Sequence, residues 1–411
     1  MNRLLANSIE KIVSQEGRKF LQLTPGFDPT VLQYDKSSKP SLYIHIPFCK
    51  KLCPYCSFNR YLYKEEIAIQ YFQSLQKELH YYKDLGFDFQ EVYFGGGTPT
   101  INLSLLSSCI KDIQNMFSIK EISIEANPSD LSANTVTELQ HIGIQRLSIG
   151  VQSFKDELLI AMGRRSHTSL EALHSIERAH HHFPTINLDF IFNFPSQSLE
   201  DFYHDIQMVK KCGVNQATFY PLMPSPHKKS AMERQFQAID SKRESSFYHL
   251  LQEEMKKDFQ PSTCWCFSKG DQKIDEYIIN HPEYIGIGAG SVGFLKDTFL
   301  VNTFHPTNYI EQVEKNHVSI VMQKKATKKE AARYFMLTQL FGMKLDLVEL
   351  EKRYQKAVST ELLLLQISSI IGKNKTRYYT TEKGMYYIGL MMKHFFIGLN
   401  ALREICIQNR L

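Results

Sequence analysis

Ile46-Pro-Phe-Cys49-Lys-Lys-Leu-Cys53-Pro-Tyr-Cys56-Ser-Phe58 packs three of the chain's eight cysteines into eight residues. The spacing, C-x3-C-x2-C, is one thiolate short of the four that a four-iron cubane normally takes. Three thiolates in one tight loop can hold three irons and leave the fourth open. An open coordination position separates a reactive metal site from a sealed structural one. The other reading is a zinc knuckle. Zinc needs a fourth ligand close by, and His45, the local candidate, falls in an apparent strand.

Outward from this loop, β-type runs alternate with helical patterns. Strands are predicted over 41–46, 91–94, 121–125, 146–150, 186–192 and 216–220. Helices are predicted over 67–85, 103–116, 133–142, 169–181 and 199–212. Repetition at βαβ spacing argues for parallel strands with right-handed crossovers, closing fully or partly into an α/β barrel. Chemistry in such barrels sits at the C-terminal ends of strands. The cysteines follow strand one, Gly95-Gly-Gly97 follows strand two, Glu125 ends strand three, Gln152 follows strand four, and Asp189 lies in strand five.

The pattern changes near residue 326. Helical spacing covers 328–341, 345–354, 359–371 and 385–405, with a short hairpin wing at 377–381. The expected organisation is an N-terminal extension (1–40) with turn and linker residues at 25–29 and 35–40, a core with its own extension (41–325), and a smaller, mainly helical, winged-helix-like domain (326–411). A wing suggests DNA, but no concentrated basic recognition helix accompanies it. A cap or docking module is expected instead, with no nucleic-acid partner.

Composition agrees with a globular enzyme: 411 residues, 43% hydrophobic, 22% charged, net charge +5. The uneven cysteines form no disulfide framework, which points to a reducing, cytoplasmic setting. The N-terminus reads as no signal peptide, and no run reaches the roughly 18 apolar residues of a membrane span. Gly95-Gly-Gly-Thr-Pro99 lets backbone approach a ligand closely, with a tight turn as the plain alternative. Cys264 and Cys266 flank the single tryptophan; a heme, metal or redox role is conceivable, and two small buried side chains are the expectation. The run His180-His181-His182 reads as a helix end favoured by the dipole rather than a metal site.

These stretches resemble the radical S-adenosylmethionine (SAM) superfamily. Within it the chain is similar to the group holding oxygen-independent coproporphyrinogen III oxidase and the related heme chaperone. The matching segments are Tyr43-Ile-His-Ile-Pro-Phe-Cys49, Tyr55-Cys-Ser-Phe58, Tyr93-Phe-Gly-Gly-Gly-Thr-Pro-Thr100, Ile124-Glu-Ala-Asn-Pro128, Arg146-Leu-Ser-Ile-Gly-Val-Gln-Ser-Phe154, Met162-Gly-Arg164 with His167, and Asn187-Leu-Asp-Phe-Ile191. They stand in family order over about residues 41–225, and the C-terminal helices resemble the family's last domain more weakly.

The resemblance implies a [4Fe–4S] cluster on Cys49, Cys53 and Cys56. It also implies S-adenosyl-L-methionine on the open iron and reductive cleavage to a 5′-deoxyadenosyl radical. It implies that Gly96 and Gly97, with Thr98 beside them, meet the methionine end. Tyr43, Glu125, Gln152, Arg164 and Asp189 match positions lining the SAM site. Asp189 suits a ribose hydroxyl pair, Arg164 the methionine carboxylate, and Glu125 the ammonium or ribose. The implied partners are a porphyrinogen or heme and an electron donor such as a flavodoxin or ferredoxin. The implied activity is that of a radical SAM oxidoreductase of porphyrin or heme metabolism. Two departures bear on the substrate. Phe58 stands where the oxidases carry a further cysteine, and 263–268 with 274–277 lacks the chaperones' Arg-His-Asn-x-x-Tyr-Trp stretch. The alternatives are therefore a heme-binding chaperone with little turnover, and radical methyl transfer with ring opening of heme.

Overall fold

The computed structural model describes residues 3–33, 39–224, 226–270 and 277–409. Residues 35–38 of the turn-rich run, and 274–276 of the departing segment, lie outside the described residues.

Among the described residues a mixed sheet of 13 strands forms the centre. Six strands follow one another across it in sequence order: β1 (Ser41–Ile46), β2 (Glu91–Gly96), β3 (Glu121–Ala126), β4 (Arg146–Gln152), β5 (Thr185–Phe192) and β6 (Gln216–Pro221). Every pair is parallel. Register explains the two faces. Ile44 lies opposite Phe94, Phe94 opposite Ile124, Ile124 opposite Leu147, and Leu147 opposite Ile186. All five are buried in the main core. Because side chains alternate along a strand, the other parity carries Tyr43, Tyr93, Glu125, Ser148, Asn187 and Asp189. The sheet thus has one oily face and one polar face.

Helices α2 (Glu65–Asp84), α3 (Leu103–Met116), α4 (Ala133–His141), α5 (Ser169–Ala179) and α6 (Leu199–Lys211) fill the crossovers. The starts of α3 to α6 are fixed by side-chain caps: Asn102 and Ser132 each accept a backbone N–H, and Thr168 with Glu171 and Ser198 with Asp201 form capping boxes.

The sheet continues past β1 with β7 (Tyr284–Ile287), parallel to it, then antiparallel β8 (Val292–Leu295), β9 (Thr298–Asn302) and β10 (Ile320–Lys325). On the other side Cys266–Ser268 runs antiparallel to β6 and in turn pairs with Gln260–Pro261 at the far edge. Two further helices are α7 (Ser241–Met255) and α8 (Pro306–Asn316).

The last region holds α9 (Lys328–Phe341), β11 (Lys344–Asp346), α10 (Leu347–Tyr354), α11 (Ser359–Ile367), β12 (Ile371–Lys373), β13 (Arg377–Thr380) and α12 (Glu382–Gln408). The wing is a three-stranded antiparallel sheet rather than a lone hairpin. Residues 345 and 346, expected as helix, pair with β13, because Asp346 caps α10 by accepting from the Val348 and Glu349 N–H groups. Residue 371, also expected as helix, is strand, because the chain leaves α11 through Ser369 at φ 57°.

The stretch expected as an extension contains a helix, α1 (Arg3–Phe20), lying along α12. Ser14 Oγ and His394 Nδ1 are 3.0 Å apart. Phe20 stacks on Tyr334 at 5.5 Å and tilts against Phe395 at 6.1 Å. Thr24–Pro25 then pairs with β10. No helix among the described residues is long and apolar enough to cross a membrane.

Candidate functional site

The cysteine loop leaves β1 and is closed on itself by backbone. Phe48–Cys49 pairs in parallel with Tyr61–Leu62, Tyr63 N donates to Cys49 O at 3.0 Å, and Cys56 N donates to Cys53 O at 3.2 Å. The Arg60 guanidinium also donates to the Cys53 carbonyl. Cys49 is buried, Cys53 and Cys56 are half-buried, and all three are free thiols. Burial pushes the Cys49 thiol up to about 11, against the pull of the Thr98 hydroxyl, while nearby Cys56 adds to the rise.

Two of the sulfurs are joined by an arc of hydrogen bonds. Thr98 Oγ1 donates to Cys49 Sγ at 3.6 Å, and Asn127 Nδ2 donates to Thr98 Oγ1 at 2.9 Å. Arg164 Nη2 donates to Asn127 Oδ1 at 2.9 Å, and its Nη1 reaches Cys53 Sγ at 3.7 Å. Donors aimed at sulfur favour the thiolate form that binds metal. Asn127 lies in the segment Ile124-Glu-Ala-Asn-Pro128 that carries the family resemblance, but no role was expected of it and the arc is visible only in the structure.

His45 cannot serve as a fourth ligand. Its Nε2 sits 2.8 Å from the Asn59 carbonyl and its Nδ1 2.9 Å from the Tyr43 hydroxyl. The carbonyl can only accept, so Nε2 carries the proton and Nδ1 accepts from Tyr43. Among the described residues no three His, Cys, Asp or Glu side chains gather at single-ion spacing. A closed zinc knuckle does not fit this loop. Three soft thiolates with no fourth protein ligand fit an iron–sulfur cluster with one exposed iron.

The glycine loop fits against this assembly. A Cβ on Gly97 would lie 2.7 Å from Phe48 O and 3.0 Å from Cys49 Sγ. Gly96 has φ 115°, and a Cβ there would lie 2.7 Å from the His45 ring. Gly97 N donates to Ile46 O at 2.8 Å. Gly96 N and Tyr93 Oη donate to the Glu125 carboxylate at 3.1 and 3.0 Å. Glu125 is thus held by the glycine loop and by Tyr93.

The remaining expected residues line the same polar face. Asp189 accepts from Ser148 Oγ at 2.7 Å and from Asn187 Nδ2 at 2.8 Å. Thr218 Oγ1 donates to Asn187 Oδ1 at 2.9 Å and fixes that amide. Gln152 sits at a bulge between β4 and β5 with φ 70°, a strained setting for a non-glycine residue. Arg164 is buried, and its Nη atoms are engaged by Asn127, Gly150 O at 2.6 Å, Tyr55 Oη at 3.2 Å and Cys53. Its Nε is buried without a hydrogen-bond partner among the described residues. Cys264 and Cys266 are wholly buried; Cys264 N donates to Phe341 O at 3.0 Å, and burial raises the Cys264 thiol strongly. They form part of the core beside Trp265.

Burial holds both His45 and His167 down to about 4, so each is neutral at pH 7. Unfolded imidazoles titrate near 6.5, so the unfolded chain binds more protons below that pH. Their contribution is complete above pH 6.5 and is lost as pH falls toward 4. At pH 5 each is expected to cost about 2 kcal/mol relative to pH 7.5. Urea unfolding of cluster-free protein at the two pH values measures the loss, and His45→Gln removes roughly half of it. Equal stability at both pH values would contradict these assignments.

The profile described as the Radical SAM superfamily matches residues 43–209. The heme chaperone HemW of Bacillus subtilis (strain 168) is 30% identical over 293 residues, 66% of this chain and 76% of that protein. HemW of Buchnera aphidicola subsp. Acyrthosiphon pisum is 28% identical over 387 residues, covering 86% and 98%. Coproporphyrinogen III oxidase (HemN) from Escherichia coli, described as a radical SAM enzyme, superposes with a TM-score of 0.77 at 22% identity, covering 91% of this chain and 95% of that one. The chain belongs to the radical SAM superfamily and, within it, to the HemN/HemW-like family. It accordingly binds a [4Fe–4S] cluster and S-adenosyl-L-methionine.

Proposed function

We propose that Cys49, Cys53 and Cys56 hold the cluster, that SAM lies along the polar face between Tyr43 and Asp189, and that the chain acts on a tetrapyrrole in porphyrin or heme metabolism. One observation carries the reading: a trio of free thiols, two of them joined by the Thr98–Asn127–Arg164 arc, with no fourth ligand among the described residues. When bound, the cluster supplies the electron that cleaves SAM.

The chain's own residues supply placement. Ser148 and Asn187 orient Asp189, whose remaining lone pairs suit two ribose hydroxyls. Tyr93 and Gly96 orient Glu125 toward an ammonium or ribose. Gly96, Gly97 and Thr98 stand at the methionine end, and Gln152 lines the SAM site. Arg164 keeps only Nε for the methionine carboxylate, so its main work is on the loop. The electron comes from a flavodoxin- or ferredoxin-like donor.

On this reading a hydrogen atom is abstracted from a propionate side chain, and the substrate radical then loses carbon dioxide and one electron, taken up by an external one-electron acceptor, to leave a vinyl group. A second reading, a heme chaperone with little turnover, is favoured by the HemW relatives that match over nearly their whole length and by Phe58, 59% exposed where the oxidases carry a cysteine. Anaerobic incubation of reconstituted protein with SAM, reductant and either coproporphyrinogen or heme separates them. Decarboxylated product supports the oxidase. Stable stoichiometric heme with slow, uncoupled SAM cleavage supports the chaperone. Loss of the heme band with SAM consumption supports ring opening. No binding or reaction of any tetrapyrrole overturns the substrate class.

A further inference from the structure

Gln152, at the end of β4, holds a left-handed backbone (φ 70°) at the bulge against β5. A non-glycine residue stays in that region only where its surroundings over-determine it. The chain is fastened on both sides of it. On one side the Val151 carbonyl lies 3.1 Å from His167 Nε2. A carbonyl only accepts, so Nε2 donates, and Nδ1 accepts from Ser166 Oγ at 3.0 Å. On the other side Phe154 N donates to Asp205 Oδ1 at 2.7 Å. Ser153 Oγ donates to both oxygens of the same carboxylate, at 3.1 and 2.9 Å. Lys155 N donates to Ser153 Oγ at 3.1 Å and completes the turn.

Asp205 comes from α6 and is wholly buried, as is Ser153. A carboxylate in such a place is costly unless it is well bonded. Its bonds to residues 153 and 154 lead into the helix Asp156–Ala161, so a plain structural cap is the competing reading. The turn does more than start a helix. It carries the Gln152 amide back over Gly150: a Cβ on Gly150 would lie 3.1 Å from Gln152 Nε2 and 3.3 Å from Arg164 Nη2. Arg164 in turn reaches Cys53 Sγ through Nη1 at 3.7 Å. The backbone turn thus aims the amide at the flank of the cysteine loop. We propose that Asp205 is a positioning residue for SAM: it clamps 153–154 from α6, opposite the His167 clamp on Val151, and so holds the Gln152 amide over Gly150 beside Arg164. This rests on the reading that Gln152 lines the SAM site, and it names the residue through which α6 sets that side chain.

The test is a double-mutant cycle on reconstituted full-length protein, with SAM affinity read anaerobically by equilibrium dialysis. Asp205→Asn keeps Oδ1 for Phe154 N but turns an NH2 on the Ser153 hydroxyl. The Phe154 ring stays packed on Phe190, at 5.6 Å, which keeps the segment on its course. Asp205→Asn is expected to weaken SAM about tenfold, the scale of one hydrogen bond to a charged group. Ser153→Ala is expected to weaken it less, about threefold. Iron and sulfide content is expected at the wild-type level in both, because the Thr98–Asn127–Arg164 arc is untouched. Gln152→Ala is expected to weaken SAM about tenfold by itself. On that background Asp205→Asn is expected to add less than about twofold, because residues acting through one side chain are not additive.

An Asp205→Asn protein that binds SAM within about twofold of wild type overturns the proposal. So does a loss that recurs undiminished on the Gln152→Ala background, as a merely structural cap would give. If Asp205→Asn does not load iron, Ser153→Ala decides by the same comparison. A Gln152→Ala protein that binds SAM as the wild type does removes Gln152 from the SAM site, and the positioning role falls with that reading.

Discussion

Anaerobically reconstituted Cys53→Ala protein is expected to lack the brown chromophore and to cleave no SAM above background. The loop offers three thiolates where four normally hold a cubane, so no spare ligand covers the loss. Arg164 would also lose its sulfur acceptor, and the hydrogen-bonded arc would end at nothing. Cys406→Ala is the matched control. That thiol is buried in α12 outside the loop, and its loss is expected to leave iron content, absorbance and SAM cleavage at wild-type level. Iron and sulfide analysis with the visible spectrum decides the matter. Wild-type protein that took up zinc in the loop, or an alanine variant that kept its full iron, would falsify the ligand assignment.

Gly97→Ala is expected to have the second largest effect, and for a steric reason. The added methyl group would lie 2.7 Å from Phe48 O, 2.9 Å from Phe48 N and 3.0 Å from Cys49 Sγ. Two of these atoms are backbone and the third is a proposed iron ligand, so none can swing away. Overpacking of this kind costs about 1–3 kcal/mol. The expected outcome is a thermal midpoint lower by several degrees and cluster content at half the wild-type value or less. Gly17→Ala tests the reasoning in reverse. It lies within α1 with nothing within 4 Å of the added carbon, and a helical Gly→Ala change there is expected to be neutral or to stabilise by about 0.5–1 kcal/mol. If both variants melt and load iron alike, the steric argument fails.

Much of this was legible because it is written locally. All six central strands announce themselves by β-type apolar runs, and the cysteine loop by spacing alone. The alternation of Glu-Ile-Ser-Ile-Glu over 121–125 already separates the oily face from the polar one. What escaped depends on contacts between distant segments. Asn127 joins Thr98 to Arg164 only because the ends of β2 and β3 meet the turn that follows the helix Asp156–Ala161. His45 was by sequence the local but poorly placed candidate for a fourth ligand, and Asn59 and Tyr43 occupy both its nitrogens. Helix α1 was within reach: Leu5, Ile9 and Val13 recur every four residues, yet the linker residues after it dominated the reading of 1–40. Asp189 was expected as a carboxylate in need of partners. It is half-buried, with Ser148 and Asn187 bonded to it.

The seating of α12 on the cysteine loop has a consequence for biosynthesis. Ribosomes add roughly 5–20 residues each second. The thiols therefore emerge about 20–70 s before α12, whose Asn400 shares the Met223 carbonyl with Ser57 of the loop. During that interval the nascent loop stands open to oxidants and to iron donors alike, and the order in which they arrive decides whether a given molecule matures.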